Sequence, residues 1–326
     1  MRVSPTALRF PRQRVLLGRT RLAYVHLQNL LTDAKRDRAA RVFGYVVVWL
    51  PEELLLLYLQ EGEVVAATTS EDGVKFADIS IREARSRVPN AAEYGEVCFH
   101  EADDEQLACM HACQVLAPEP MPPEVKTGKP QALFAHLLAT TYDGMLEINV
   151  GGGINYVVLR HGVPRRAFFA DGQTETELEP AIGALWKPGA TLPVVRRWAV
   201  PPPLPNQAPP PLIDAYRALM RGLAEKLTKH KVRNAAQLLE RAREALVTTH
   251  PALDRMALGA ADGEQDPVTT SPELARAIGG WINDVLFAVA LPEGATPEAT
   301  LRELIKERRH LFQSAGLLDA LAWKVV

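Results

Sequence analysis

The apolar positions of this chain change period several times, and the changes mark its elements. Leu54-Leu-Leu-Leu-Tyr-Leu59 is apolar throughout, which predicts a strand covered on both faces and central in its sheet. Tyr45–Leu50 and Val64–Thr69 flank it as two further strands, with Pro51-Glu52-Glu53 and Gln60-Glu61-Gly62 as the turns. Gly62 suits a hairpin position with φ > 0, where a side chain would clash. One hundred residues further on the pattern returns without a gap. Gly44 falls on Gly144, Leu59 on Leu159, Gly62 on Gly162 and Ala67 on Ala167. The second set of strands is Met145–Val150, Ile154–Leu159 and Arg165–Phe169, and Gly151-Gly-Gly153 stands in the turn where the first set has Pro51-Glu52-Glu53.

Helical periodicity precedes each set. Gly18 to about Arg41 predicts a helix with Leu22, Val25, Leu27, Leu30 and Leu31 on one strip, and Gly128–Thr141 predicts a shorter one. A tail follows each set. The first holds a helical stretch (Ile79–Arg87), a strand (Gly95–Glu101) and a helix (Asp103–Leu116). The second holds a helical stretch near Glu177–Leu185 and a strand, Leu192–Ala199. Repetition of the whole unit argues for internal duplication, and two copies are too few for a solenoid. On this alignment Gly62→Val and Gly162→Val should each destabilise their own lobe by on the order of 1–3 kcal/mol, through strain at φ > 0.

Pro201-Pro-Pro-Leu-Pro205 and Pro209-Pro-Pro211 read as an extended, semi-rigid linker. Beyond it the pattern is helical only. Ile213, Tyr216, Leu219, Met220, Leu223 and Leu227 share a face, as do Leu238, Leu239, Ala242 and Leu246. Ser271-Pro272-Glu273 and Thr296-Pro297-Glu298 are helix starts, with a capping hydroxyl, a first-turn proline and an acid favoured by the helix dipole. The expected fold class is α+β: two tandem related α/β lobes with antiparallel hairpins, followed by an all-α helical bundle. The expected domains are a first lobe over 1–125, a second over 126–200, the proline-rich linker over 201–211 and the bundle over 212–326.

The strand-and-glycine unit resembles the PATAN family, domains named for the amino terminus of a cyanobacterial response regulator. The residues that carry the resemblance are Gly44, Leu57, Tyr58, Gly62 and Ala67 with the closing Gly95-Glu-Val-Cys-Phe99. In the second copy they are Gly144, Val157, Val158, Gly162 and Ala167. The resemblance covers about residues 18–200 and rests on short hydrophobic motifs. The first copy departs from it by about ten extra residues before Gly44, and Arg165-Arg166 stands where the first copy has Val65-Ala66. The family implies a non-enzymatic module for bacterial signalling or protein interaction, and it supplies no catalytic residue to carry over.

Composition narrows the choices. Of 326 residues, 47% are apolar and 23% charged, the profile of an ordinary globular protein. A net charge of −2 gives no global field for nucleic acid or for an acidic partner. Three cysteines make no disulfide scaffold. The longest apolar run, Tyr45 to Leu59, is broken by Pro51, Glu52 and Glu53, so no membrane span is expected. An arginine-rich amino terminus without an apolar segment speaks against a secretory signal, and the cytoplasm is the expected location.

Two clusters bear on chemistry. Cys98, His100, Cys109, His111 and Cys113 put every cysteine within sixteen residues, beside two of the eight histidines. Thiolates and imidazoles suit zinc, so the cluster is a candidate metal site with Zn as its cofactor. Its spacing matches no standard finger, and Cys109 and Cys113 share a helix face from which His111 points away. Buried core thiols explain the same residues without a metal. The second cluster is basic. Residues 1–44 hold ten Lys or Arg against Asp33 and Asp37. Arg12, Arg14, Arg19, Arg21, Arg36, Arg38 and Arg41 form a candidate site for nucleic acid or a cyclic dinucleotide, extended by Arg160, Arg165 and Arg166. A solvated helix face with a loose terminal arm, as most charge runs are, explains them without a ligand. Gly151-Gly-Gly153 lacks the Lys-Ser/Thr of a phosphate loop, and His250-Pro251 reads as a helix stop. The leading function is therefore a non-catalytic bacterial signalling adaptor or scaffold, with a protein partner or self-association. Nucleotide second-messenger or nucleic-acid binding and metal binding are the alternatives.

Overall fold

The computed structural model describes residues 7–36, 42–88, 94–123, 125, 127–172, 177–187, 191–259 and 265–325, the side chain of Arg36 excepted. The fold is α+β, with two antiparallel sheets and a helical carboxy-terminal region. The chain divides into two compact units: Met1–Ile79 with Ser86–Leu204, and Ser80–Arg85 with Pro205–Val326.

The first unit opens with β1 (Arg14–Arg21) and α1 (Leu27–Arg36). Then come β2 (Gly44–Trp49), β3 (Leu54–Gln60), β4 (Glu63–Ser70) and the two-residue β5 (Ala77–Asp78). The helix α2 (Ile81–Ser86) falls almost wholly to the second unit, and β6 (Glu96–Glu101) returns to the first. A six-stranded sheet results, in the order β1-β6-β2-β3-β4-β5. After α3 (Asp104–Val115) and α4 (Pro130–Ala139) the chain lays down β7 (Gly144–Val150), β8 (Gly153–Arg160) and β9 (Val163–Phe168). A short helix, α5 (Leu178–Gly183), leads to β10 (Val194–Trp198), which closes a four-stranded sheet in the order β10-β7-β8-β9.

The helix expected from Gly18 to Arg41 is corrected by the structure. Residues 14–21 pair with β6 as an irregular edge strand, Leu22–Tyr24 make a 3-10 turn, and the α-helix begins only at Leu27. The physical reason is the edge of β6. Its unpaired backbone groups need partners, and satisfying them outweighs a weak local helical period. The end of the expected helix, with Arg38 and Arg41, lies outside the described residues.

Both hairpins turn through paired left-handed residues: Glu61 and Gly62 at φ 51° and 78°, His161 and Gly162 at 51° and 77°. Such turns match the twist of the strands they join. In each case the preceding helix lies against the turn. A Cβ on Gly62 would sit 2.3 Å from the Ala34 carbonyl oxygen, and one on Gly162 2.3 Å from that of Leu137.

Every residue of β2 is buried, as are all but the last of β3. One face of this sheet, with Tyr45, Leu54, Leu56 and Tyr58, shares a core with Leu107, Cys109 and Met110 of α3 and with Met145, Tyr156 and Phe168 of the other sheet. Each leucine, methionine or phenylalanine among them contributes about 1.5–3 kcal/mol by leaving water. The far face of the four-stranded sheet packs Leu146, Ile148 and Val157 on Leu133 and Leu137 of α4. Asp103 caps α3 by accepting a 3.0 Å hydrogen bond from the Gln106 amide.

The second unit contains α6 (Pro210–Lys229), α7 (Ala235–Leu246), α8 (Ser271–Ala288), α9 (Pro297–Ile305), α10 (Arg309–Ser314) and α11 (Leu317–Ala320). Trp281 is wholly buried, and its indole N–H donates to the Leu239 carbonyl at 2.8 Å. The start of α8 differs by one residue from expectation. Thr270, not Ser271, is the cap, in a reciprocal capping box with Glu273. Within this unit the buried Asp266 accepts from both Arg82 and Arg217 at 2.8 Å. No helix among the described residues is long and apolar enough to cross a membrane.

Candidate functional site

Strand alternation builds a chamber on the inner face of the six-stranded sheet. Tyr45, Val47 and Trp49 of β2 point the same way, because side chains two residues apart share a face. Across the ladder His100 stands opposite Tyr45, and Cys98 opposite Val47. The segment from Leu8 to Arg12 crosses this face and is tied to both sheets. The Arg9 amide donates to the Gly152 carbonyl at 2.9 Å, and the Gln13 amide to that of Glu101 at 3.1 Å. The Tyr45 hydroxyl donates to the Pro11 carbonyl at 2.7 Å. Beneath the segment lies a cavity of about 160 Å³.

Its electrostatics are lopsided. Three arginines line it: Arg9, Arg12 and Arg19. Arg9 meets Asp171 at 3.3 Å. Arg19 pairs with Glu96, and its guanidinium carbon lies 4.2 Å over the Trp49 ring. The half-buried Arg12 side chain has no hydrogen-bond or ion-pair partner among the described residues. Two further polar atoms are orphaned. Trp49 is 6% exposed, and among the described residues its buried Nε1 has no partner, nor has the buried Nδ1 of His100. Burial, reinforced by the Arg12 charge, lowers the His100 imidazole from 6.5 to about 4, so the ring is neutral at pH 7. Burial pushes the Cys98 thiol up to about 12.

The five Cys and His residues are not gathered into one site. Among the described residues no three of His, Cys, Asp and Glu are grouped so as to hold a metal. Cys98 and His100 face the cavity. His111 places Nε2 2.8 Å from Asp78 and sits edge-on to Tyr58. Cys109 is buried in the shared core, and burial raises its pKa. Cys113 lies beside Glu147 of β7, and burial raises the pKa of both.

The basic residues are likewise dispersed. Arg12 and Arg19 line the cavity. Arg14 pairs with Glu101 at 2.6 Å, and Arg21 ends β1 with an exposed side chain. Arg166 of β9 pairs with Asp103 and Glu105. Arg160 and Arg165 are exposed on the four-stranded sheet. The Arg36 side chain, Arg38 and Arg41 lie outside the described residues. Sequence reasoning thus found two of the three guanidiniums at the cavity but missed Phe10, Tyr45 and Trp49. The available signal was the alternation of Tyr45 and Trp49 along one strand. The turn at Gly151 and Gly152, with φ of 55° and 84°, is a tight hairpin. His250 lines a separate cavity of about 400 Å³ in the helical unit, beside the capping acid Glu273.

No family model, curated protein or solved structure matches this chain.

Proposed function

We propose that the chain is a bacterial cytoplasmic signalling adaptor or scaffold that works by protein–protein contact and not by turnover. Its first unit would hold two tandem PATAN-like copies, and its helical unit would dock a second partner or a second copy. The observation that carries this reading is the agreement of the two sheets. The runs β6-β2-β3-β4 and β10-β7-β8-β9 have one order, and the pairs Gly44↔Leu59 and Gly144↔Leu159 have one register. Even the irregularity recurs, between Tyr58 and Leu59 and between Val158 and Leu159. A shared bulge is a local feature that folding alone does not require twice, so it favours common descent. A receptor for nucleic acid draws less support, because Arg14, Arg19 and Arg166 are each engaged by carboxylates.

The test is to crosslink and isolate the tagged full-length chain from bacterial cells, then rebuild any complex from purified components. A stoichiometric complex by light scattering, with a partner or with itself, is the expected result. A purified chain that forms none, or that converts a substrate, overturns the reading.

A further inference from the structure

We propose that the cavity beneath the amino-terminal segment binds a small amphipathic carboxylate, of about the size of benzoate or a short-chain fatty acid. The proposal is independent of the adaptor reading and stands on the geometry of the first unit alone. Volume sets the size. A cavity of about 160 Å³ is close to the ~150 Å³ of an engineered void that admits benzene. It is well below the ~300 Å³ at which drug-sized ligands begin to be enclosed, so a cyclic dinucleotide does not fit inside. The walls set the body of the ligand. Leu8, Phe10, Val47 and Ala170 offer it apolar surface. The unmatched polar groups set its head. Arg9 and Arg19 have Asp171 and Glu96, whereas Arg12 presents a half-buried fork with no carboxylate among the described residues. A planar guanidinium and a carboxylate match in geometry as well as in charge.

The orphaned indole N–H of Trp49 points to the same conclusion. A buried donor left unmet is costly, and a shift of the ring that brought it to a ligand oxygen would satisfy it. His100 is a wall residue of the same cavity, so the head group would lie against the Arg12 guanidinium and the edge of the His100 ring. An inorganic phosphate would use the cation but leave the apolar walls bare, which is why an apolar body is part of the assignment. Access is provided at the rim, where the Arg9 and Arg19 side chains are 52% and 38% exposed.

Calorimetric titration of the full chain with benzoate, hexanoate and inorganic phosphate at pH 7 tests the assignment. Benzoate or hexanoate should saturate one site with a Kd on the order of 1 mM or tighter. Phosphate should bind at least about tenfold more weakly. Arg12→Gln should weaken the carboxylate at least about tenfold, and Trp49→Phe, which removes only the N–H donor, by a smaller factor. The wild-type protein supplies a readout that needs no variant. By NMR the His100 imidazole should titrate above its free value of about 4 once benzoate is bound, because an adjacent anion favours the protonated ring. Absence of saturation at 10-fold that concentration overturns the proposal, as does phosphate binding as tightly as benzoate or an unmoved His100 titration at saturating benzoate.

Discussion

The two sheets of the first unit share a frame and differ in what they carry on it. In both, a glycine opens the first strand of the run because the closing strand leaves no room. A Cβ on Gly44 would meet the His100 carbonyl oxygen at 2.2 Å, and one on Gly144 that of Trp198 at 2.3 Å. In both, the hairpin glycine fits under the preceding helix. The cross-strand pairs on the inner face are where they part. The six-stranded sheet pairs Tyr45 with His100, Val47 with Cys98 and Trp49 with Glu96. At the corresponding places the four-stranded sheet pairs Met145 with Trp198, Glu147 with Arg196 and Asn149 with Val194. All of the first set but Glu96 line the cavity beneath the amino-terminal segment. In the second, Met145 and Trp198 are packed into the shared core, and Glu147 is buried beside Cys113. Backbone clearance constrains the frame, whereas side chains on the pleat are free to diverge.

The comparison can be broken first at the glycines. Gly62→Val and Gly162→Val combine strain at positive φ with a Cβ that collides with backbone. Each should cost at least about 3 kcal/mol, more than strain alone would. Urea unfolding followed by circular dichroism measures this, and a large loss in only one variant would end the equivalence of the hairpins. The next effect separates the sheets by the sign of their pH response. His100 resists protonation in the folded state, so its part of the stability is whole above pH 6.5 and is lost as pH falls towards 4. After allowance for solvent screening the loss is about 1–2 kcal/mol. It should be absent in His100→Gln when urea midpoints at pH 7 and pH 4.5 are compared.

Glu147 behaves in the opposite sense. Burial raises its pKa, so the fold favours the protonated acid, and stability declines as pH rises from 4.5 through the raised value. Glu147→Gln should therefore exceed the wild type by on the order of 1 kcal/mol at pH 8 and equal it at pH 4. Unfolding midpoints at the two pH values check this, and a gain at pH 4 alone would reverse the assignment. The smallest effect belongs to Arg166, whose partners Asp103 and Glu105 are partly exposed. Arg166→Gln should cost about 0.5–1 kcal/mol in low salt and less in 1 M salt.

Strands with an unbroken period were legible to within a residue or two. The all-apolar Leu54–Leu59 is central and buried, and the φ > 0 expected of Gly62 is observed. The site was legible only in fragments. Arg12 and Arg19 stood out by charge, but nothing local in the sequence says that the chain at Leu8–Arg12 crosses the face bearing Tyr45 and Trp49. The same limit applies to the thiols. Spacing on a helix separates Cys113 from His111, but it cannot announce that Cys113 meets Glu147, a residue of a strand laid down after the next helix.

By itself the sequence determined the short-range order of this protein: which runs are strands, where the hairpins turn and which helix starts are capped. Those features depend on steric limits and hydrogen bonds between near neighbours, so a few adjacent residues suffice. Only the tertiary structure decided that residues 14–21 extend along β6 instead of coiling, and that Arg12 stands over a void with an unmet indole. Both follow from segments brought together across some tens of residues of chain, where no periodicity reaches.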